Sequence, residues 1–69
     1  MPDRVFKKIE VTGTSSKSIE EAIQNAVAKT AKTDANLRWF EVQEIRGSID
    51  SGNVQQWQVT LKIGFALDD

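Results

Sequence analysis

The chain has 69 residues, one domain's worth, and near this size folding removes only roughly 60% of the surface that the unfolded chain exposes. It has no cysteine and no histidine, which excludes disulfides and leaves only carboxylates as metal ligands, so assembly is the remaining way to stabilise so small a core. Nine basic residues against ten acidic ones give a formal net charge of −1, a balance that asks for neither nucleic acid nor an anionic membrane as partner.

The opening MPDRVFKKIEV has no apolar run of signal-peptide length, and no segment of transmembrane length follows, so cytoplasm is the default expectation. Residues 4–13 read as a first strand, with Val5, Ile9 and Val11 on one parity and Lys8, Glu10 and Thr12 on the other. Phe6 and Lys7 break that alternation. Gly13-Thr14-Ser15-Ser16-Lys17 reads as punctuation.

A helix is expected over about 18–32. Ser18 and Glu21 form the S-x-x-E capping box. Ile19, Ala22, Ile23, Ala26, Val27 and Ala31 follow as one alanine-rich stripe that lets the helix sit close to whatever it covers. Two further strands are expected over 37–49 and 53–67. Between them Asp50-Ser51-Gly52-Asn53 is a turn, with Gly52 free to take positive φ. The fold class is therefore α+β, in the order β-α-β-β. A right-handed crossover makes the first two strands parallel, with the third, antiparallel to both, between them.

Face assignment comes from parity. On the third strand Val59, Leu61, Ile63, Phe65 and Leu67 occupy odd positions and should lie beneath the helix, while Gln56, Gln58, Thr60, Lys62 and Gly64 turn away. Trp57 shares the helix-facing parity and reads as packing. On the second strand, placing Phe40 and Val42 under the helix sends Trp39 to the helix-free face, where Gln58 also projects. Taken alone, Trp39 reads as a contact against a strand or subunit, Gln58 as an ordinary surface amide, and Arg46, Glu41 and Glu44 as solvated charges or cross-strand charge pairs worth little.

Four segments, VFKKIEVTGTS, SIEEAIQNAVAKTAKT, LRWFEVQEIRG and WQVTLKIGF, together span nearly the whole chain. In their order and spacing they resemble the dodecin family. That resemblance implies a β-α-β-β fold whose sheet partly wraps its helix, assembled as a hollow homododecamer that binds flavin at subunit interfaces. It implies that Trp39 stacks on the isoalloxazine ring, with two flavins between symmetry-related tryptophans. Gln58 is implied to bond the pyrimidine edge and Arg46 to meet the FMN phosphate. FMN is the expected ligand, with riboflavin or FAD as alternatives. Coenzyme A is a second ligand of some bacterial members, at a site these residues do not place. Phe40 is bulkier than the small residue found there in some members, and should alter core packing rather than the stack.

No catalytic constellation and no metal-ligand cluster is legible, and no G-x-x-x-x-G-K-[ST] phosphate loop occurs. The expected function is non-catalytic storage of FMN or riboflavin, with its photochemistry quenched by the indole. Two alternatives stand beside it, a structural or partner-binding oligomeric module and a small flavin-dependent redox enzyme.

Overall fold

The computed structural model describes residues 3–67. Strand β1 spans Phe6–Ser15, helix α1 Ile19–Thr30, strand β2 Leu37–Asp50 and strand β3 Asn53–Ala66. The sheet order is β1-β3-β2, with β3 antiparallel to both neighbours, as the crossover argument requires.

The first strand runs through the segment read as punctuation. Thr14 and Ser15 pair with Gln58 and Trp57, and the turn begins only after them. The Ser15 hydroxyl accepts from the backbone N–H groups of Lys17 at 2.9 Å and Ser18 at 3.3 Å. Gly13 serves close packing instead of a turn: a Cβ there would strike the Ala22 carbonyl oxygen and lie 2.8 Å from the Ala26 Cβ.

At the start of α1 the capping box forms by half. Ser18 Oγ accepts from the Glu21 backbone N–H at 3.0 Å. The Glu21 carboxylate does not return to the Ser18 N–H; it accepts from the Ser15 hydroxyl at 2.6 Å, and Ser15 takes the Ser18 N–H in its place. The helix closes at Thr30, earlier than the stripe suggests, because the bonds tighten to Lys32 N–H with Lys29 C=O and Thr33 N–H with Thr30 C=O. The β2–β3 hairpin turns on Ser51 and Gly52, both at positive φ (52° and 80°), the primed geometry that matches strand twist.

The core consists of Ala22 and Ala26 against Val59, Leu61 and Ile63. Ile9, Val11, Ile19, Ile23, Val27 and Leu37 pack around it half-buried. The helix lies over β1 and β3, drawn there by the close approach at Gly13. This corrects the expectation for β2. Phe40 and Val42 share the helix-side face, since they pair with Ile63 and Leu61, but they lie beyond the helix and are 48% and 39% exposed. A single helix is about 10–12 Å wide, enough for two strands at a spacing near 4.8 Å but not for three. Toward the end of β3 burial also falls short of the parity pattern: Phe65 is only half-buried, and Leu67, just past the strand, is exposed.

The chain measures 55 × 20 × 14 Å, with a radius of gyration of 14.3 Å, against about 11 Å for a compact domain of this length. The elongation comes from the β2–β3 hairpin, which carries exposed Ile45, Ile49 and Val54. These side chains leave an apolar surface open along the hairpin.

Candidate functional site

The open face of the sheet is arranged in cross-strand rows. Lys8, Gly64 and Trp39 form one row; Glu10, Lys62 and Glu41 the next; then Thr12, Thr60 and Glu44; and finally Thr14, Gln58 and Arg46. Two irregularities in β2 decide which side chains belong here. The register shifts between Leu37 and Trp39 and again between Val42 and Glu44. The first inserts Arg38, so that Leu37 pairs with Phe65 and packs on the core while Trp39 pairs with Gly64 on the open side. The second inserts Gln43 and brings Arg46 opposite Gln58. Strict alternation would have put Arg46 on the face of Phe40 and Val42.

Trp39 is held on three sides. Its indole lies over Gly64, where a Cβ would overlap ring atoms Cζ2, Cε2 and Cη2. Phe6 meets it edge-on, with ring centroids 5.2 Å apart at 71°. The indole N–H donates to Glu41 Oε1 at 3.1 Å, and the same oxygen accepts from Lys8 Nζ at 3.2 Å. The side chain nevertheless remains 39% exposed. One ring face rests on the sheet and the other is presented outward.

Gln58 donates from Nε2 to Gln56 Oε1 at 2.9 Å, and Arg46 stands exposed beside it. Both are remote from the indole: Gln58 lies six residues from Gly64 along β3, roughly 20 Å at ~3.3 Å per residue. One chain therefore brings Arg46 and Gln58 together but does not bring Trp39 to them. Phe6, Glu41 and Gly64 complete the surroundings of the indole and were not singled out from sequence. Their signals were an aromatic on the polar parity of β1, a carboxylate two residues from the tryptophan, and a glycine in mid-strand.

The indole N–H, first, and the Lys8 ammonium hold the Glu41 carboxyl below its ordinary value of 4.5. A depressed carboxyl stabilises the folded state fully above that value and loses its contribution as pH falls through the lower folded one. The near-ultraviolet circular dichroism of the indole is therefore expected to change at a lower pH than an unperturbed glutamate would impose. Glu41→Gln, which keeps an oxygen acceptor but cannot titrate, should lack that step. Coincident acid profiles for parent and variant would break the link between Glu41 and the indole.

Among the described residues no helix is long and apolar enough to cross a membrane, and no group of three or more metal-ligating side chains occurs. Fold and site together define a small β-α-β-β protein that seats an outward-facing indole on an open antiparallel sheet. A family model described as Dodecin matches residues 5–68, and the chain belongs to the dodecin family. It is 48% identical over 66 residues to the dodecin of Thermus thermophilus, covering 96% of each chain. A crystal structure of a Thermus thermophilus protein superposes with a TM-score of 0.92 at 48% identity, over 97% of this chain and 98% of that one. The dodecin of Streptomyces coelicolor superposes with a TM-score of 0.93 at 42% identity, over 100% and 99%.

Proposed function

We propose that this protein is a non-catalytic flavin store, which sequesters FMN or riboflavin between subunits of a homododecamer and quenches its photochemistry on Trp39. The observation that supports this reading is the seat of Trp39. A ring with one face on Gly64, a T-shaped contact with Phe6 and its N–H tied to Glu41 has its other face set for a flat aromatic ligand, at little cost in ordering.

The remaining residues suit the same group. The Gln58 amide offers both a donor and an acceptor to a pyrimidine edge. The Arg46 guanidinium offers a planar fork to a phosphate, which favours FMN over riboflavin. Arg46 and Gln58 are register partners, so one chain can engage ring edge and phosphate while the indole comes from another. The roughly 20 Å between the two parts, from six residues at ~3.3 Å each, is longer than a flavin ring can bridge, so the complete site requires assembly. The exposed apolar side chains of β2 supply surface for that assembly.

A bound flavin is the light-absorbing group, and an electron-rich indole stacked on it returns the excited state to the ground state without product. Trp39 provides that contact, while Glu41 and Phe6 hold the ring in place. No His or Cys is present to act as base or nucleophile, which favours storage over redox catalysis.

The test is an FMN fluorescence titration of the purified protein, with its mass measured by light scattering. Saturable quenching on a particle twelve times the chain mass is the expected result. A dodecamer that leaves FMN emission unchanged would rule out flavin storage, and turnover of NAD(P)H by the flavin-loaded protein would point to an enzyme.

A further inference from the structure

We propose that Gly64 is the positioning residue that sets the pose of the Trp39 indole, and through it the fit of the stacked ligand; the ligand half of this inference rests on the flavin reading above. Gly64 sits inside β3, the central strand, paired with Lys8 on one side and Trp39 on the other. Glycine is unfavourable within a strand and there marks a close approach. Here the approaching group is identified, because the nearest atoms to a Cβ at this position are three atoms of the indole's six-membered ring. The ring thus rests on bare backbone.

Height and orientation are set by different residues. Glu41 ties the indole N–H at 3.1 Å and Phe6 packs against the ring at 71° with centroids 5.2 Å apart, so both bear on its orientation. The height of the ring above the sheet is set by Gly64, because the ring lies across it. A single methyl group there lifts or tips the indole. In an assembly with facing indoles both walls move together, and the overlap that a flat ligand needs is lost on both sides.

The experiment compares parent and Gly64→Ala in FMN and lumichrome titrations, with thermal midpoints of both also measured in the Trp39→Ala background. Gly64→Ala should raise the apparent Kd at least tenfold for both ligands, which share the stacked ring but not the ribityl phosphate, and leave brighter residual emission at saturation. With Trp39 reduced to alanine the added methyl meets no ring, so Gly64→Ala should then shift the midpoint far less than in the parent. Should Gly64→Ala alone not assemble, recovery of assembly in the Gly64→Ala/Trp39→Ala double variant supports the clash, and failure to recover overturns it.

Equal midpoint shifts in the two backgrounds would mean a backbone effect and overturn the proposal. So would unchanged affinity in Gly64→Ala, or a loss confined to FMN. A parent that leaves FMN emission unchanged removes the flavin reading and the ligand half of this proposal together. A parent that binds FMN, beside a Gly64→Ala variant that binds it equally well, removes only the proposal.

Discussion

Replacing Trp39 by alanine is expected to weaken FMN binding by roughly 5- to 150-fold and to restore emission from whatever flavin remains bound. The magnitude follows from stacking on an aromatic side chain, about 1–3 kcal/mol per ring by alanine substitution, at ~1.4 kcal/mol per tenfold. In a homo-oligomer every site loses its indole at once. The fold should survive, because Trp39 contributes to the open face and not to the core of Ala22, Ala26, Val59, Leu61 and Ile63. The chain's other tryptophan provides the control: Trp57 pairs with Gly47 and Ser15 near the far end of the hairpin, and Trp57→Phe should leave the FMN titration unchanged. Equal weakening by the two substitutions, or unaltered quenching in Trp39→Ala at full assembly, would refute the stacking role.

Gly13→Ala should be the most destabilising one-methyl change in the chain, at about 3 kcal/mol, the upper end for overpacking a filled core. The new Cβ would run into the Ala22 carbonyl oxygen, a backbone atom that no rotamer change can move, with the Ala26 Cβ only 2.8 Å away. Relief requires the whole helix to lift from β1, which opens the contact that buries Ala22 and Ala26. A domain of 69 residues has about 3–10 kcal/mol of stability in total, at 0.05–0.15 kcal/mol per residue, so the loss should be visible as partial unfolding. Denaturation midpoints should be compared at one protein concentration, since assembly adds its own stabilisation. A midpoint within error of the parent would mean that the helix is not seated on Gly13.

The seat of the helix and the seat of the indole both turn on glycines in strands, and such glycines are hard to interpret from sequence. Gly13 stands next to Thr14, Ser15 and Ser16, a composition that suggests a turn, yet it is paired within β1. Gly64 falls on the polar parity of β3, where a missing side chain looks neutral. In each case the reason lies in a group distant along the chain: the helix backbone for Gly13, the indole for Gly64. Local pattern carries no record of such an approach.

Other features of the fold are carried by residues near one another in the chain. The period of the apolar residues determined one helix and three strands, and the short Asp50–Asn53 connection determined an antiparallel hairpin. The crossover then left only the central position for β3. Parity along β3 identified Val59, Leu61 and Ile63 as buried, because β3 alternates strictly from Gln56 onward, past the one residue inserted at Gln55. The open-face placement of Gln58 follows from the same alternation.

Parity fails at an inserted residue, and β2 has two. The register shifts beside Arg38 and Gln43 place Leu37 on the core and bring Arg46 round to Gln58, and each depends on pairing with β3 rather than on any property of the inserted side chain. The breadth of helix cover was likewise a tertiary matter. Apolar Phe40 and Val42 have the pattern of core residues, but whether a helix lies above them depends on where that helix settles, and the close approach at Gly13 draws it toward β1. The amino-acid sequence by itself determined the elements, their order and the faces of an uninterrupted stretch of strand, because these depend on residues near one another in the chain. Only the tertiary structure decided the seat of Trp39, the side on which Arg46 emerges and the uncovered half of the sheet, because each is set by groups that meet across strands.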